Sequence, residues 1–301
     1  MEEKRFAFFK KPPDKKRQAE IVGYLTDRHP QLFCGTIGNS ILGEPLRYFR
    51  LGSGRRALLY VGAHHGMEWI TALLLYRMLD DLAHIEERTG SLPFPADCSL
   101  YLLPILNPDG VEIQLHGASA GGPLADRLVR QNGGSLDFSR WQANARGVDL
   151  NHNYDAGFAA YRKKEREAGI TGGAPTRYSG EYPFSEPETA ALAAFLAVVR
   201  PAAILTLHSQ GEEIFYHPVS PPIKHAEELG RRLARLSGYR LGEADGMAAY
   251  GGMSDYAAEV LRLPSFTVEC GLGQNPLPIG NATAIYRRLR RAFFSLPTLL
   301  A

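Results

Sequence analysis

Apolar residues follow two different periods along the chain. Four short runs, Ala57–Ala63, Ser99–Leu106, Ala203–His208 and Ser265–Glu269, are almost continuously apolar, the pattern of strands buried on both faces of a parallel sheet. Between them the period lengthens to that of a helix. Glu68–Leu82 carries a wide apolar face, and Pro187–Val199 follows Ser185, with Glu188 three residues on as a capping box. Ile223–Leu236 stops at Ser237-Gly238, and Ser254–Leu261 opens on a Ser-Asp signal. Near the C-terminus Arg287, Arg288, Arg290 and Arg291 interleave with Ile285, Leu289, Phe293 and Leu296, as on an amphipathic helix with a wet basic face. Strands alternating with helices predict an α/β fold, a sheet with helices on both faces. No internal repeat or low-complexity linker divides it. Residues 1–35 read as an N-terminal extension and first helix of the same unit, and residues 36–301 as the domain that carries the chemistry. The pattern lapses only between Gly110 and Glu186, a stretch dense in Gly, Ser, Asn and aromatics. An irregular segment this long in a compact domain is expected to line a functional site.

Composition narrows the function classes. Lys and Arg number 34 against 32 Asp and Glu, a formal charge of +2, and no concentrated basic surface marks a nucleic-acid partner. Lys10, Lys11, Lys15, Lys16 and Arg17 read as solvated charge. Cys34, Cys98 and Cys270 are scattered, without a CxxC pair, and read as reduced thiols in a chain long enough to bury its own core. The longest apolar stretch, Trp69–Leu79, is broken by Arg77 and too short for a bilayer. Met1–Lys16 lacks the apolar core of a secretory signal. The expectation is a cytoplasmic protein with no membrane partner.

Three of the apolar runs end in residues that bind metals or move protons. After the first come His64, His65, Gly66, Met67 and Glu68, so an imidazole and a carboxylate meet across a strand-to-helix corner. Taken alone, His-x-x-Glu is as well explained by a capping Glu beside a core His. The third run ends in His208 and the fourth in Glu269. In a parallel sheet, reacting groups gather beyond the carboxyl ends of the strands. His65, Glu68, His208 and Glu269 are therefore expected to face one crevice, and two His with one Glu suit a hydrolytic zinc site that leaves a position for water. A fourth segment, Arg146 to Tyr154, brings Asn151 and His152, which could hold a carboxylate or an amide at the crevice mouth or simply close a hydrogen-bonded turn after a short strand at Val148–Leu150.

As a set these pieces resemble the zinc carboxypeptidase superfamily of the carboxypeptidase A/B type. The matching residues are His65-x-x-Glu68-Trp69-Ile70, Pro104 to Gly110, Gly147-Val148-Asp149-x-Asn151-x-Asn153, His208-Ser209 and Phe266-Thr267-Val268-Glu269. The resemblance implies a single domain with a mixed, mostly parallel sheet of about eight strands. It also implies one Zn2+ per chain on His65, Glu68 and His208, Glu269 as general base, and an arginine at the oxyanion, Arg146 first and Arg140 second. This chain departs from the digestive members at the arginine that grips a substrate's C-terminal carboxylate, where it has His152, a poorer and pH-dependent anchor. The family's tyrosine position falls on Met247, with Tyr250 the nearest phenol, and the floor of the specificity pocket falls on polar Ser254. These departures, with the Gly271 to Pro278 tail, resemble the bacterial branch that cuts γ-D-glutamyl–diaminopimelate (or lysine) bonds of cell-wall peptides. A small muropeptide is then the expected partner. Three alternatives remain open: a conventional metallocarboxypeptidase, a non-catalytic domain that binds wall peptides, and a serine hydrolase using Ser119. The last rests on Gly117-Ala118-Ser119-Ala120-Gly121, with Val111–Leu115 as strand and Pro123–Arg130 as helix.

Overall fold

The computed structural model describes residues 6–243 and 249–300. Its frame is an eight-stranded sheet formed by β1 (Phe33–Asn39), β2 (Pro45–Leu51), β3 (Arg56–Val61), β4 (Cys98–Leu103), β5 (Ala203–His208), β6 (Glu213–Tyr216), β7 (Arg240–Glu243) and β8 (Ser265–Glu269). The spatial order is β1-β2-β4-β3-β5-β8-β6-β7. The four apolar runs form its centre, β4-β3-β5-β8, all parallel. Antiparallel pairing adds β2 and β1 on one side and β6 on the other, and β7 lies parallel to β6. The mixed, mostly parallel sheet is thus present.

The side-chain alternation of a strand explains the two layers. On β3, Leu58 and Tyr60 enter the larger apolar cluster with α2 (Ile70–Thr89), α7 (Ala226–Ser237) and α9 (Ala282–Leu299). Leu59 and Val61 point the other way, into a second cluster with α6 (Pro187–Val199) and α8 (Met253–Glu259). α1 (Lys15–Arg28) joins the first layer through Ile21 and Leu25. His29, just beyond α1, is tied to Asp80 and Glu87 of α2. β1 begins at Phe33, so a boundary between residues 35 and 36 falls inside a strand.

Several boundaries differ from the sequence reading. α2 runs on to Thr89 and ends at Gly90, whose φ of +77° makes a left-handed cap. α6 has the expected limits but no side-chain cap; Glu188 instead faces inward, accepting from Ile41 N–H at 3.3 Å. α7 starts three residues later than expected, at Ala226. At α8 Asp255, not Ser254, takes the capping role, its Oδ2 accepting from Gly252 N–H. Residues 110–186 are less irregular than their composition suggests, containing most of α3 (Pro108–His116), α4 (Ala125–Gln131) and α5 (Phe158–Glu167). Val148–Leu150 is not a strand: Asp149 caps a 3-10 turn at Leu150–His152.

Candidate active site

From β3 the chain splits its crossovers, one leading to β4 on one side and the later one to β5 on the other, which opens a crevice at the carboxyl ends. Beyond Val61 the chain turns through a 3-10 turn, Gly66–Glu68, into α2. A Cβ at Gly66 would stand 2.2 Å from the Gly110 carbonyl oxygen, so only glycine allows this corner. The turn sets His65 Nδ1 3.0 Å from Glu68 Oε1. β5 and β8 then deliver His208 and Glu269 as register partners, with His208 Nδ1 3.1 Å from Glu68 Oε2.

One ligand atom from each of His65, Glu68 and His208 lies within 4.8 Å of the others, and all three residues are buried. His208 Nε2 is a buried atom with no hydrogen-bond partner among the described residues, and buried His65 Nδ1, although 3.0 Å from Glu68 Oε1, is not aligned for a hydrogen bond to it. Buried polar atoms are ordinarily satisfied, and two imidazoles beside a carboxylate are the donor set of a hydrolytic zinc site. The residues present therefore fit a divalent cation. Burial alone would lower the His65 pKa, yet the Glu68 and Asp149 carboxylates raise it well above the ordinary imidazole value. Against the same burial, His65 and His208 hold Glu68 down at about 2. A bound cation would take the place of the proton that His65 otherwise keeps.

The surroundings fix the ring of His65. Its Nε2 donates to Asp149 Oδ1 at 3.1 Å, which leaves the Nδ1 lone pair for a ligand bond. Asp149 also accepts from Asn151 N–H on Oδ1 and from Arg177 N–H on Oδ2. Although burial opposes it, the charge and hydrogen bond of His65, with the Arg177 N–H, hold Asp149 well below the carboxylate range. On the other side, Ser209 N–H donates to Glu68 Oε2 at 3.2 Å and Asn275 Nδ2 lies 3.4 Å from Glu68 Oε1. Nothing in the sequence alone marks Asp149, Ser209 or Asn275 for these roles, although all three lie in the segments that carry the family resemblance.

Two hollows meet at this centre. One, of 590 Å³, is lined by His65, Arg140, Gln142, Asp149, His152 and Arg177 among others. The second, of 410 Å³, is lined by Glu68, Arg140, Gln142, Glu213, Glu269 and Asn275 among others. Both sizes are ordinary for small-ligand sites, about 300–1,000 Å³. Burial, then the Glu68 charge, push the Glu269 pKa up to about 8, and a neighbouring cation would draw it back down.

The expected substrate-binding residues divide. Arg140 lines both hollows. Arg146 does not: its guanidinium lies 3.7 Å from Glu186, in a separate depression with Arg127, Tyr178 and Tyr182. The physical reason is a turn in which Asn144 Oδ1 accepts from both Arg146 N–H and Val148 N–H, fixing the direction in which Arg146 leaves the chain. His152 lines the first hollow, but its ring stacks on Tyr161 at 3.8 Å and its Nδ1 is 3.0 Å from the Tyr250 carbonyl oxygen. Burial lowers its pKa. Tyr250 contributes that carbonyl, while its ring lies 4.7 Å from Lys164 Nζ and lines neither hollow. Met247 lies outside the described residues. Asn151 and Ser254 line a third, smaller hollow with Asp255, Thr267 and His217, where the Ser254 hydroxyl meets that of Thr267 at 2.8 Å. Ser119 is no nucleophile elbow. The expected strand before it is helix α3, Ser119 stands in a 3-10 turn, and its hydroxyl donates to the His116 carbonyl oxygen.

A buried two-histidine, one-glutamate cluster beside a second glutamate on the neighbouring strand, at the carboxyl edge of a mixed sheet, defines the class of metal-dependent hydrolases. A family model described as zinc carboxypeptidase matches residues 20–286. The γ-D-glutamyl-L-diamino acid endopeptidase 1 of Lysinibacillus sphaericus is 32% identical over 279 residues, covering 90% of this chain and 68% of that one. Among solved structures, bovine thrombin-activatable fibrinolysis inhibitor in complex with tick carboxypeptidase inhibitor superposes with a TM-score of 0.75 at 20% identity, over 98% of this chain and 99% of that one. The murein-tripeptide amidase of Escherichia coli O157 superposes with a TM-score of 0.54 at 24% identity, over 89% and 91%. The chain belongs to the zinc carboxypeptidase family, whose members are zinc metallopeptidases. Among the described residues no helix is long and apolar enough to cross a membrane.

Proposed function

We propose that this protein is a zinc peptidase that hydrolyses the γ-D-glutamyl–diaminopimelate (or lysine) bond of small cell-wall peptides. The observation that carries the hydrolytic part is the buried His65–Glu68–His208 cluster with Glu269 paired beside it on the next strand. The similarity to the diamino acid endopeptidase supports the substrate class. His65, Glu68 and His208 hold one Zn2+ per chain, which when bound supplies Lewis-acid polarisation of the scissile carbonyl and an acidified water. Asp149 keeps the His65 ring in the ligating tautomer. Glu269 takes a proton from the attacking water and returns it to the departing amine. Arg140, which lines both hollows, faces the charge that develops on the carbonyl oxygen. Asn151 and Ser254 shape the smaller hollow for the side chain beyond the cut.

The test is turnover by the zinc-loaded protein of L-Ala-γ-D-Glu-meso-diaminopimelate and of hippuryl-Phe. Cleavage of the first, abolished by a chelator and restored by zinc, is expected. Cleavage of hippuryl-Phe alone would establish a conventional carboxypeptidase instead. Zinc binding without turnover of either would leave the non-catalytic reading.

A further inference from the structure

The 590 Å³ hollow contains a feature that the cleavage chemistry does not use. Arg177 lines it together with His65, Arg140 and His152. Its φ is +66°, a left-handed conformation that a long L side chain adopts only where its surroundings over-determine it. Two bonds impose it. Arg177 N–H donates to Asp149 Oδ2 at 2.9 Å, and the Arg177 carbonyl accepts from Tyr161 O–H at 3.1 Å. The same Asp149 orients His65, and the same Tyr161 stacks on His152. The backbone of Arg177 is thus pinned to the metal centre, while among the described residues no hydrogen bond or ion pair engages its guanidinium or that of Arg140. The nearby acids are already in use. Both Asp149 oxygens accept hydrogen bonds, and Asp137 Oδ1 accepts from Ser139 N–H at 2.9 Å.

His152 is not equipped to hold an anion here. A carbonyl oxygen can only accept, so the His152 Nδ1 that faces the Tyr250 carbonyl carries the proton, and in the neutral ring Nε2 is then a lone-pair acceptor. A carboxylate brought to that nitrogen would meet repulsion.

Taking the cleft as the peptidase site above, we propose that Arg177 is the residue that anchors the free carboxylate of the amino acid beyond the scissile bond, in the hollow where His152 stands without that capacity. The guanidinium fork matches a carboxylate with two parallel N–H···O bonds. Its attachment through Asp149 sets the distance from the anchored carboxylate to the metal centre, so Arg177 selects substrates that end one residue past the cut.

The test uses the zinc-loaded protein with L-Ala-γ-D-Glu-L-Lys and with the same peptide ending in lysinamide. Wild type is expected to show a KM lower for the acid than for the amide by about 10- to 100-fold, the scale of one charge-assisted interaction. Arg177→Gly accepts the positive φ without strain and keeps both backbone bonds. It should erase the preference by raising KM for the acid alone, with kcat and the melting temperature not lowered; Arg177→Lys should restore part of it. Retention of the preference in Arg177→Gly, or its absence in wild type, overturns the assignment. If wild type cleaves neither peptide, the γ-glutamyl reading fails. The same comparison with hippuryl-Phe and hippuryl-phenylalaninamide then decides the anchor, and cleavage of neither pair overturns both.

Discussion

Glu188 offers the sharpest stability test because its environment conflicts with its charge. It is fully buried at the N-terminal turn of α6. Its Oε1 accepts from Ile41 N–H at 3.3 Å and its Oε2 lies 3.4 Å from Asn144 Nδ2. Burial, reinforced by Asp109 and Glu186 and only partly offset by its own helix amide and that of Ile41, pushes its pKa from 4.5 up to about 8. Between those two values the folded chain holds a proton that the unfolded chain has released, so stability falls as pH rises. At about 1.4 kcal/mol per pKa unit, the loss is about 3 kcal/mol at pH 7 and about 5 kcal/mol once the pH exceeds the folded pKa. Glu188→Gln stays neutral throughout and has nearly the same shape. Its stability relative to wild type, from urea unfolding at pH 5, 7 and 8.5, should rise from its pH 5 value by about 2–3 kcal/mol at pH 7 and about 4 kcal/mol at pH 8.5, since effects common to both proteins cancel. A difference that is the same at pH 5 and 8.5 would refute the reasoning. Asn144 Nδ2 donates to this carboxyl group and Asn144 Oδ1 closes the turn before Asp149, so the pH dependence reports on a segment that supports the candidate metal centre.

Three further outcomes are expected. Asp149→Asn leaves one acceptor oxygen where two serve His65, Asn151 and Arg177; zinc affinity measured by chelator competition should fall about 10- to 100-fold, and an unchanged affinity would remove Asp149 from the metal's support. Glu269→Gln should lower kcat by about 10²- to 10⁴-fold with one zinc still bound by elemental analysis, whereas full turnover would exclude it as the base. Ser119→Ala loses only a bond to the His116 carbonyl, so activity should stay within about twofold and stability within about 0.5 kcal/mol; loss of turnover with zinc retained would reinstate the serine nucleophile.

What the sequence determined by itself is local. The four central strands are legible because burial on both faces leaves continuous apolar runs. The quartet His65, Glu68, His208 and Glu269 is legible because each stands at or just past a strand's carboxyl end, or one turn into the following helix, where the crevice of a parallel sheet must form. The outer strands are not legible in the same way. β1 has no fully buried residue, and β6 and β7 have four residues each; such segments become strands only when a neighbour offers its open edge. The tertiary structure alone decided which arginine enters the cleft. Arg140 and Arg146 are the same residue type six positions apart, and the turn closed by Asn144 sends the second to Glu186. It also decided that His152 is occupied by Tyr161 and the Tyr250 carbonyl, and that Asp149, Ser209 and Asn275 support the candidate ligands. The physical reason is common to all of these. Backbone periodicity places a residue along an element, but the direction and partners of a polar side chain depend on groups brought alongside from nine to more than 200 positions away.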